Sequence, residues 1–401
     1  MSTTNPSAYK PKLISIGPYY RIKEPGSENS IKRYFQEGFF GNTEGLEKRC
    51  QVKLTSLVAK ARSCYAGSTK NISNKRLVEM LMRDGCFILQ FLKSVKVMEK
   101  ERNIVQTLKD MLLFENQIPF FVLFELHKLK QDKGDDAELL MELIELVKNC
   151  YESQVRKLTQ PLLPCKYTPE KLPKHLLEVV HSLCVPTRSV PTRRSDEYCG
   201  GLVLQQIKTA TELKNDGVSF KKNGQIHTAT GLEKYGIRFN NTGELHSLFD
   251  MDINWYAMKI RCFRIDDFTE TFLRNMIAYE EQSDFASKYF TDFVLFMSHL
   301  IKTPEDENLL CGRGIIDNIQ NTDMVQLFKE LIVKDNTSSL STLSTLSGVI
   351  KKARLHCDSP PNKWTGKLIQ EFINNPWATI IGIGAVFAMI VGIVVGIARV
   401  F

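Results

Sequence analysis

The sequence predicts a predominantly helical α+β protein that carries a small antiparallel β element and one C-terminal transmembrane helix. Three observations predict this class. Apolar residues recur at helical spacing from about residue 31 to about residue 160. Short β-like runs, separated by glycine and asparagine turns, follow between residues 218 and 265. An uncharged apolar run of 21 residues, Ala378–Ala398, stands close to the C-terminus.

The order of these features predicts four parts of the chain. These are an N-terminal extended arm (1–30), a helical body (31–336), a Ser/Thr-rich and basic juxtamembrane linker (337–376) and the transmembrane helix (377–400). In the arm, a short apolar island at Ile14–Tyr19 is expected to pack on the body. A proline-rich loop at 161–191 interrupts the body and contains a short predicted helix near Lys174–Leu183. The small sheet is expected near 218–265.

The composition is that of a folded protein with a weak positive charge. The chain has 401 residues, of which 43% are hydrophobic and 24% charged, as in ordinary globular proteins. Its net charge of +8 is compatible with an acidic membrane surface or an acidic partner. Stacking aromatics beside basic residues do not form a contiguous patch, so we expect no nucleic-acid partner. The competing hypothesis is a nucleic-acid binder tethered to an endomembrane, and it predicts a binding affinity that falls steeply as the salt concentration rises.

The apolar run has the length and the flanks of a membrane span. At 1.5 Å per residue it covers about 30 Å, the thickness of the hydrocarbon core of a bilayer. Pro376 and Trp377 mark its start. Between Lys351 and Pro376 five basic residues stand against two acidic ones, which places the bulk of the chain in the cytosol. We expect a single-pass, tail-anchored protein of the plasma membrane or an endomembrane.

Small residues recur every four positions within the apolar run. Gly384, Ala388, Gly392 and Gly396 form one ridge along the helix, and the last two match the close-packing motif of membrane helices. The ridge predicts a homodimer through this face. The competing interpretation is that glycine is simply common in membrane helices.

Asp84 is the strongest candidate for a buried polar group. It lies on the same helical face as Leu77 and Ile88, where an unpaired acid is costly. Asn116 and Gln117 lie between two apolar runs, and we predict that they are its partners. A satisfied structural acid is favoured over a ligand-facing carboxylate. If Asp84 serves only in structural hydrogen bonds, Asp84→Asn should have almost no effect on stability.

The sequence contains no recognised catalytic, nucleotide-binding or metal-binding motif. The patterns H-E-x-x-H and G-x-S-x-G and the P-loop do not occur. His181 and Cys184, with His175 just before them, have only a weak resemblance to a zinc site. The ten cysteines include no C-x-x-C pair and are expected to be free thiols. We therefore predict no catalytic residues, no cofactor and no metal.

Seven segments of the sequence, which together cover nearly the whole chain, point to a known family. They are ISIGPYY (14–20), DGCFIL (84–89), LLFENQIPFFVL (112–123), ATELKNDGVSF (210–220), RNMIAYE (274–280), EDENLLCGRGII (305–316) and NPWATI (375–380). In this order they resemble a plant-specific family, the domain of unknown function 247. The resemblance implies a plant protein with a C-terminal membrane helix and no known enzymatic activity. Some grass relatives are implicated in pollen-side self-incompatibility, a recognition role.

These observations predict a membrane-anchored plant protein that acts as a non-catalytic interaction, recognition or signalling component. Its expected partners are the lipid bilayer, a protein that the sequence does not identify, and a second copy of the chain. The alternative is a membrane-tethered enzyme of unrecognised type that uses buried carboxylates such as Asp84, Glu115 or Glu280. A pocket that joins two of these acids would favour the enzyme, and an exposed apolar patch would favour binding.

Overall fold

The architecture was obtained from a computed structural model of the chain. The residues that the structure describes are 6–20, 27–65, 69–95, 102–132, 134–158, 171–185, 211–212, 219–223, 249, 252–254, 257–261, 263–283, 285, 287–332, 346 and 348. The α-helices in these ranges are α1 (Ser27–Phe40), α2 (Leu46–Ser63), α3 (Asn74–Ser94), α4 (Arg102–Asp110), α5 (Phe120–Gln131), α6 (Asp136–Leu158), α7 (Leu176–Cys184), α8 (Thr269–Glu281), α9 (Tyr289–Leu300), α10 (Pro304–Gly312) and α11 (Met324–Leu331). The strands are β1 (Ser219–Asn223), β2 (Asp252–Asn254), β3 (Ala257–Arg261), β4 (Phe263–Ile265) and β5 (Ile316–Asn318). The predominantly helical class is confirmed.

Helix α3 is the centre of the N-terminal part of the body. It begins after Ser73, whose side chain accepts a hydrogen bond from the main-chain N–H of Arg76. Helices α1, α2, α5 and α6 all pack against it. A Cβ atom on Gly85 would overlap the side chain of Leu126, so glycine is what allows α5 to approach α3 this closely. Pro119 stands at the start of α5, as its missing N–H favours.

The C-terminal part of the body is built from α8 to α11. Helix α8 packs against α7, α9 and α11, and α9 packs against α11. Helix α10 begins with a complete capping box between Thr303 and Asp306. The short helix predicted near Lys174–Leu183 is α7, which touches α6 on one side and α8 on the other. One hydrophobic core therefore runs through both parts of the body.

The strands partly correct the expected antiparallel element. Strand β3 pairs antiparallel with β2 but parallel with β1. Strands β4 and β5 form a separate parallel pair. Parallel strands need a long crossover connection, and here α8, α9 and α10 supply it between β4 and β5. The prediction of antiparallel pairing holds for β2–β3 and is wrong for the other two pairs, because turn residues in the sequence do not reveal pairing with a distant strand.

The predicted membrane segment lies outside the described residues. Ala378–Ala398 and the ridge of Gly384, Ala388, Gly392 and Gly396 therefore have no structural description here. Among the helices that the structure does describe, none is both long enough and apolar enough to cross a bilayer.

Candidate functional site

Asp84 is completely buried at the middle of α3, where it forms an ion pair with Lys32 of α1. The Lys32 ammonium lies 2.8 Å from Oδ1, and it is almost as buried as the acid. The other carboxylate oxygen, Oδ2, accepts a hydrogen bond of 2.9 Å from the main-chain N–H of Gly17. Lys32 also donates to the carbonyl oxygen of Ser15. Both charges are thus compensated, which a buried pair requires in order to be tolerated.

Two further side chains hold the main chain of the arm. The carboxylate of Asp110 accepts from the consecutive N–H groups of Lys12, Leu13 and Ile14 at 2.6–3.1 Å. Asn116 acts at both ends of its amide, because Oδ1 accepts from the N–H of Ile16 at 2.6 Å and Nδ2 donates to the carbonyl oxygen of Ile14 at 3.0 Å. Burial raises the pKa of Asp110, and the three N–H donors oppose that shift.

The body therefore binds residues 12–17 through their main-chain N–H and C=O groups. We call this segment with Asp84, Lys32, Asp110 and Asn116 the arm network. The side chains of Ile14 and Ile16 enter the core, while the N–H and C=O groups between them bond to the body. Satisfying these groups matters because an unpaired buried main-chain group costs about 1–3 kcal/mol. An extended segment without a partner strand is thereby made compatible with burial.

The three residues predicted as a buried polar cluster have different partners. Asp84 and Asn116 meet on adjacent residues of the arm, Gly17 and Ile16. Gln117 is directed elsewhere: its Nε2 donates to two carbonyl oxygens of the preceding turn, and its Oε1 accepts from the N–H of Leu177 at the start of α7. Asp84 and Asn116 therefore hold the arm, and Gln117 holds the start of α7.

Glu280 forms a second buried polar group, 0% exposed, at the end of α8. Its Oε1 lies 2.9 Å from Nε2 of His181 and accepts from the N–H of Phe290 at 3.0 Å. Its Oε2 accepts from both the N–H and the hydroxyl of Thr291. Phe290 and Thr291 are in the first turn of α9, so Glu280 satisfies the free donors at that helix start and complements its dipole. The ring of His181 stacks on Phe285.

His175 has a capping role. Its Nδ1 accepts a hydrogen bond of 3.1 Å from the N–H of Glu178 in the first turn of α7. Nδ1 can accept this hydrogen bond only when it carries no proton. Burial, with smaller contributions from Lys174 and His181, lowers the pKa of His175 to about 3. Neither His175 nor His181 is arranged for zinc, and within the described part of the chain no three His, Cys, Asp or Glu side chains are grouped so as to hold a metal ion.

Arg274 and Asn275 join α8 to three other segments. The buried Arg274 guanidinium bonds to Glu270 within α8 and, through Nη1, to the carbonyl oxygen of Glu330 near the end of α11. Asn275 Oδ1 accepts from the N–H of Phe114, and its Nδ2 donates to the carbonyl oxygen of Ala8. One amide thus connects the beginning of the chain, the turn before α5 and the C-terminal part.

The carboxylates named for an enzyme serve separate parts of this structure. Asp84 is paired with Lys32, and Glu280 is saturated by α9 and His181. Glu115 accepts a hydrogen bond of 2.6 Å from the hydroxyl of Tyr20. Burial raises the pKa of Tyr20, and the neighbouring Glu115 raises it further, so Tyr20 remains a donor. Each of these acids acts on a neighbouring segment of the same chain.

Sequence reasoning missed Lys32, Asp110 and Asn275. A signal for Lys32 was present, because it shares the buried face of α1 with Phe35 and Phe39 at positions i, i+3 and i+7. A charge on such a face predicts a buried counter-ion. Asp110 and Asn275 had no comparable signal, since their partners are main-chain groups that are far away in sequence.

The fold and its buried polar groups define a helical protein whose N-terminal arm is bonded into the body. The chain belongs to the family DUF247, described as plant protein of unknown function, whose model matches residues 1–391. It is 26% identical to UPF0481 protein At3g47200 of Arabidopsis thaliana over 96% of this chain and 81% of that protein. It is 27% identical to a second UPF0481 protein of that plant, At3g02645, over 46% of this chain and 36% of the relative. No solved structure matches the chain.

Proposed function

We propose that this DUF247 protein is a non-catalytic interaction component, anchored by its C-terminal run in a membrane with its helical body in the cytosol. The observation that carries the proposal is the run Ala378–Ala398, which contains 21 residues without a charge. Charged residues at the centre of a spanning helix cost about 2.5–3.5 kcal/mol each, so an uncharged stretch of this length is typical of membrane helices. The ridge from Gly384 to Gly396 is the face through which two anchors would pack.

The use of the buried acids supports a role without catalysis. Asp84, Asp110 and Glu280 all accept hydrogen bonds from main-chain groups of neighbouring segments. A catalytic acid or base must reach a substrate proton within about 3 Å. Carboxylates that are engaged in this way stabilise the fold of the body, and the surface of the body is then the part that recognises a partner.

The anchor is tested by carbonate extraction of the full-length protein from plant membranes. We expect the intact chain to stay in the membrane pellet. A variant that lacks residues 378–401 should be released, because it has lost the whole apolar run. Release of the full-length protein by carbonate would refute the anchor.

The interaction role is tested by proximity labelling in plant cells, with full-length protein and with the variant that lacks residues 378–401. If the membrane positions the body beside its partner, the two neighbour lists should differ, and the full-length list should share proteins of one membrane. Identical lists would contradict the proposal. So would turnover of a small-molecule substrate by the purified protein, if Asp84→Asn abolished it without unfolding the chain.

A further inference from the structure

Exposed apolar side chains concentrate on the arm and on α1. Eight large hydrophobic residues are exposed in the described part of the chain, and four of them lie within residues 13–34. These four are Leu13 (39% exposed), Tyr19 (51%), Ile31 (47%) and Tyr34 (73%). The other four are spread over α2, α6, the segment before α7 and the segment after β5. Single exposed apolar residues are normal, whereas a concentration of them indicates a contact surface.

The arm and α1 form one unit of the surface. Lys32 of α1 bonds to the carbonyl oxygen of Ser15 and to Asp84, which itself holds Gly17. Ile31 and Arg33 flank Lys32 in the sequence, and both side chains are exposed. We call the exposed side chains of residues 10–19 and 31–34 the arm face.

The charge of this face is positive. The exposed charged groups of the arm face are Lys10, Lys12 and Arg33, while the acids next to it are Glu37 in the following turn of α1 and the half-buried Glu115 beside Tyr19. Tyrosine is enriched where membranes meet water, because its ring is apolar and its hydroxyl is polar. A basic residue near an anionic lipid surface contributes about 1 kcal/mol. Tyrosines together with bases are therefore better suited to an anionic bilayer surface than to an apolar protein partner.

The number of residues before the apolar run does not by itself select the side of the body that meets the membrane. Twenty-nine residues separate Gly348 from Ala378. Covalent geometry limits the span of 29 residues only to about 100 Å. Surface chemistry must then select the side that does so.

We propose that the arm face rests on the anionic surface of the membrane in which the chain is anchored. This inference rests on the proposed function, because the anchor brings the body to the bilayer. Leu13, Tyr19, Ile31 and Tyr34 enter the headgroup region, and Lys10, Lys12 and Arg33 contact acidic lipid headgroups. The arm network keeps the two halves of the face together.

The test is hydroxyl-radical footprinting, read by mass spectrometry, of the full-length protein in liposomes. One preparation contains phosphatidylcholine alone and the other a mixture with phosphatidylserine. We expect the oxidation rates of Tyr19 and Tyr34 to fall several-fold in the mixed liposomes relative to the neutral ones. Val52 and Ile319 lie elsewhere on the body, have exposures of 65% and 57%, between those of Tyr19 and Tyr34, and should keep their oxidation rates.

A matched pair of charge variants isolates the electrostatic part. Lys12→Glu with Arg33→Glu should abolish the difference between the two lipid compositions. Lys302→Glu with Lys329→Glu makes the same change in net charge at exposed residues elsewhere and should preserve it. Equal oxidation of Tyr34 in both liposomes overturns the inference, as does protection that rises with protein density regardless of lipid, which would indicate a second copy.

Carbonate extraction of the same liposomes separates the two proposals. A chain that is released refutes the anchor. A chain that stays in the pellet while Tyr19 and Tyr34 remain fully accessible in the mixed liposomes refutes the arm face alone.

Discussion

The ammonium of Lys32 changes what a mutation of Asp84 is expected to do. With the sequence alone, a neutral amide at residue 84 should be nearly silent. In the structure the change leaves the Lys32 charge buried without a counter-ion. We expect Asp84→Asn to lower the free energy of unfolding by about 3–5 kcal/mol, measured by urea denaturation of the full chain in detergent.

The double variant Lys32→Met with Asp84→Asn is the control for this prediction. It removes both charges and keeps a side-chain oxygen for the N–H of Gly17. It should therefore be more stable than Asp84→Asn alone. A single variant as stable as the unmodified protein would show that the ion pair contributes little.

The second prediction at the scale of a residue is that His175 makes the stability of the protein depend on pH. Its pKa is about 3 in the folded protein, because burial disfavours the charged ring, and about 6.5 in an unfolded chain. The unfolded state therefore binds more protons between these values. The stability contribution of the neutral ring is complete above about pH 6.5 and is lost as the pH falls toward 3.

The variant His175→Asn tests this coupling. Asparagine is also a good N-cap, so α7 should keep its cap at neutral pH without a titrating ring. We expect the decrease in unfolding free energy between about pH 7 and about pH 5 to be smaller in the variant than in the unmodified protein. An identical decrease in both would show that His175 does not titrate with unfolding.

At the scale of an element, the close approach of the arm to the body depends on Gly17. Its φ of +71° favours glycine, and a Cβ atom there would lie 2.5 Å from the carbonyl oxygen of Gln117. Gly17→Ala should cost about 1–2 kcal/mol from the backbone conformation alone, and the steric overlap adds to this. Thermal unfolding monitored by circular dichroism gives the measurement.

Gly312, at the end of α10, is the matched control for the arm. Apart from its chain neighbours and the backbone of its own helix, no atom in the described part of the protein lies within 4 Å of a Cβ placed there. Gly312→Ala should therefore be neutral or slightly stabilising, since alanine favours a helix over glycine by up to about 1 kcal/mol. Equal effects of the two substitutions would contradict a specific role of Gly17.

The same scale shows how far sequence patterns reach. Apolar periodicity, Pro119 and the helix start signal at Thr303–Asp306 each mark a helix that the structure contains, because these signals act within a few residues. The pairing of β4 with β5 was missed, since about fifty residues and three helices separate the partners. Strand direction depends on that crossover and not on local turn residues.

At the scale of the whole molecule, single side chains connect distant parts of the chain. Asn275 bonds both to Phe114 and to Ala8, which is 267 positions away. Asp110 and Asn116 hold residues about one hundred positions earlier. These connections fix the N-terminal arm on the body.

The sequence by itself determined the helical class, the apolar run, the family resemblance and the presence of a buried acid at Asp84. All of these depend on composition or on spacing within one element. Only the tertiary structure decided that Lys32 neutralises that acid and that Asp84 and Asn116 bind the main chain of the arm. The physical reason is that an N–H or C=O group has the same chemistry at every residue, so its distant partner is chosen by packing and leaves no mark in the sequence.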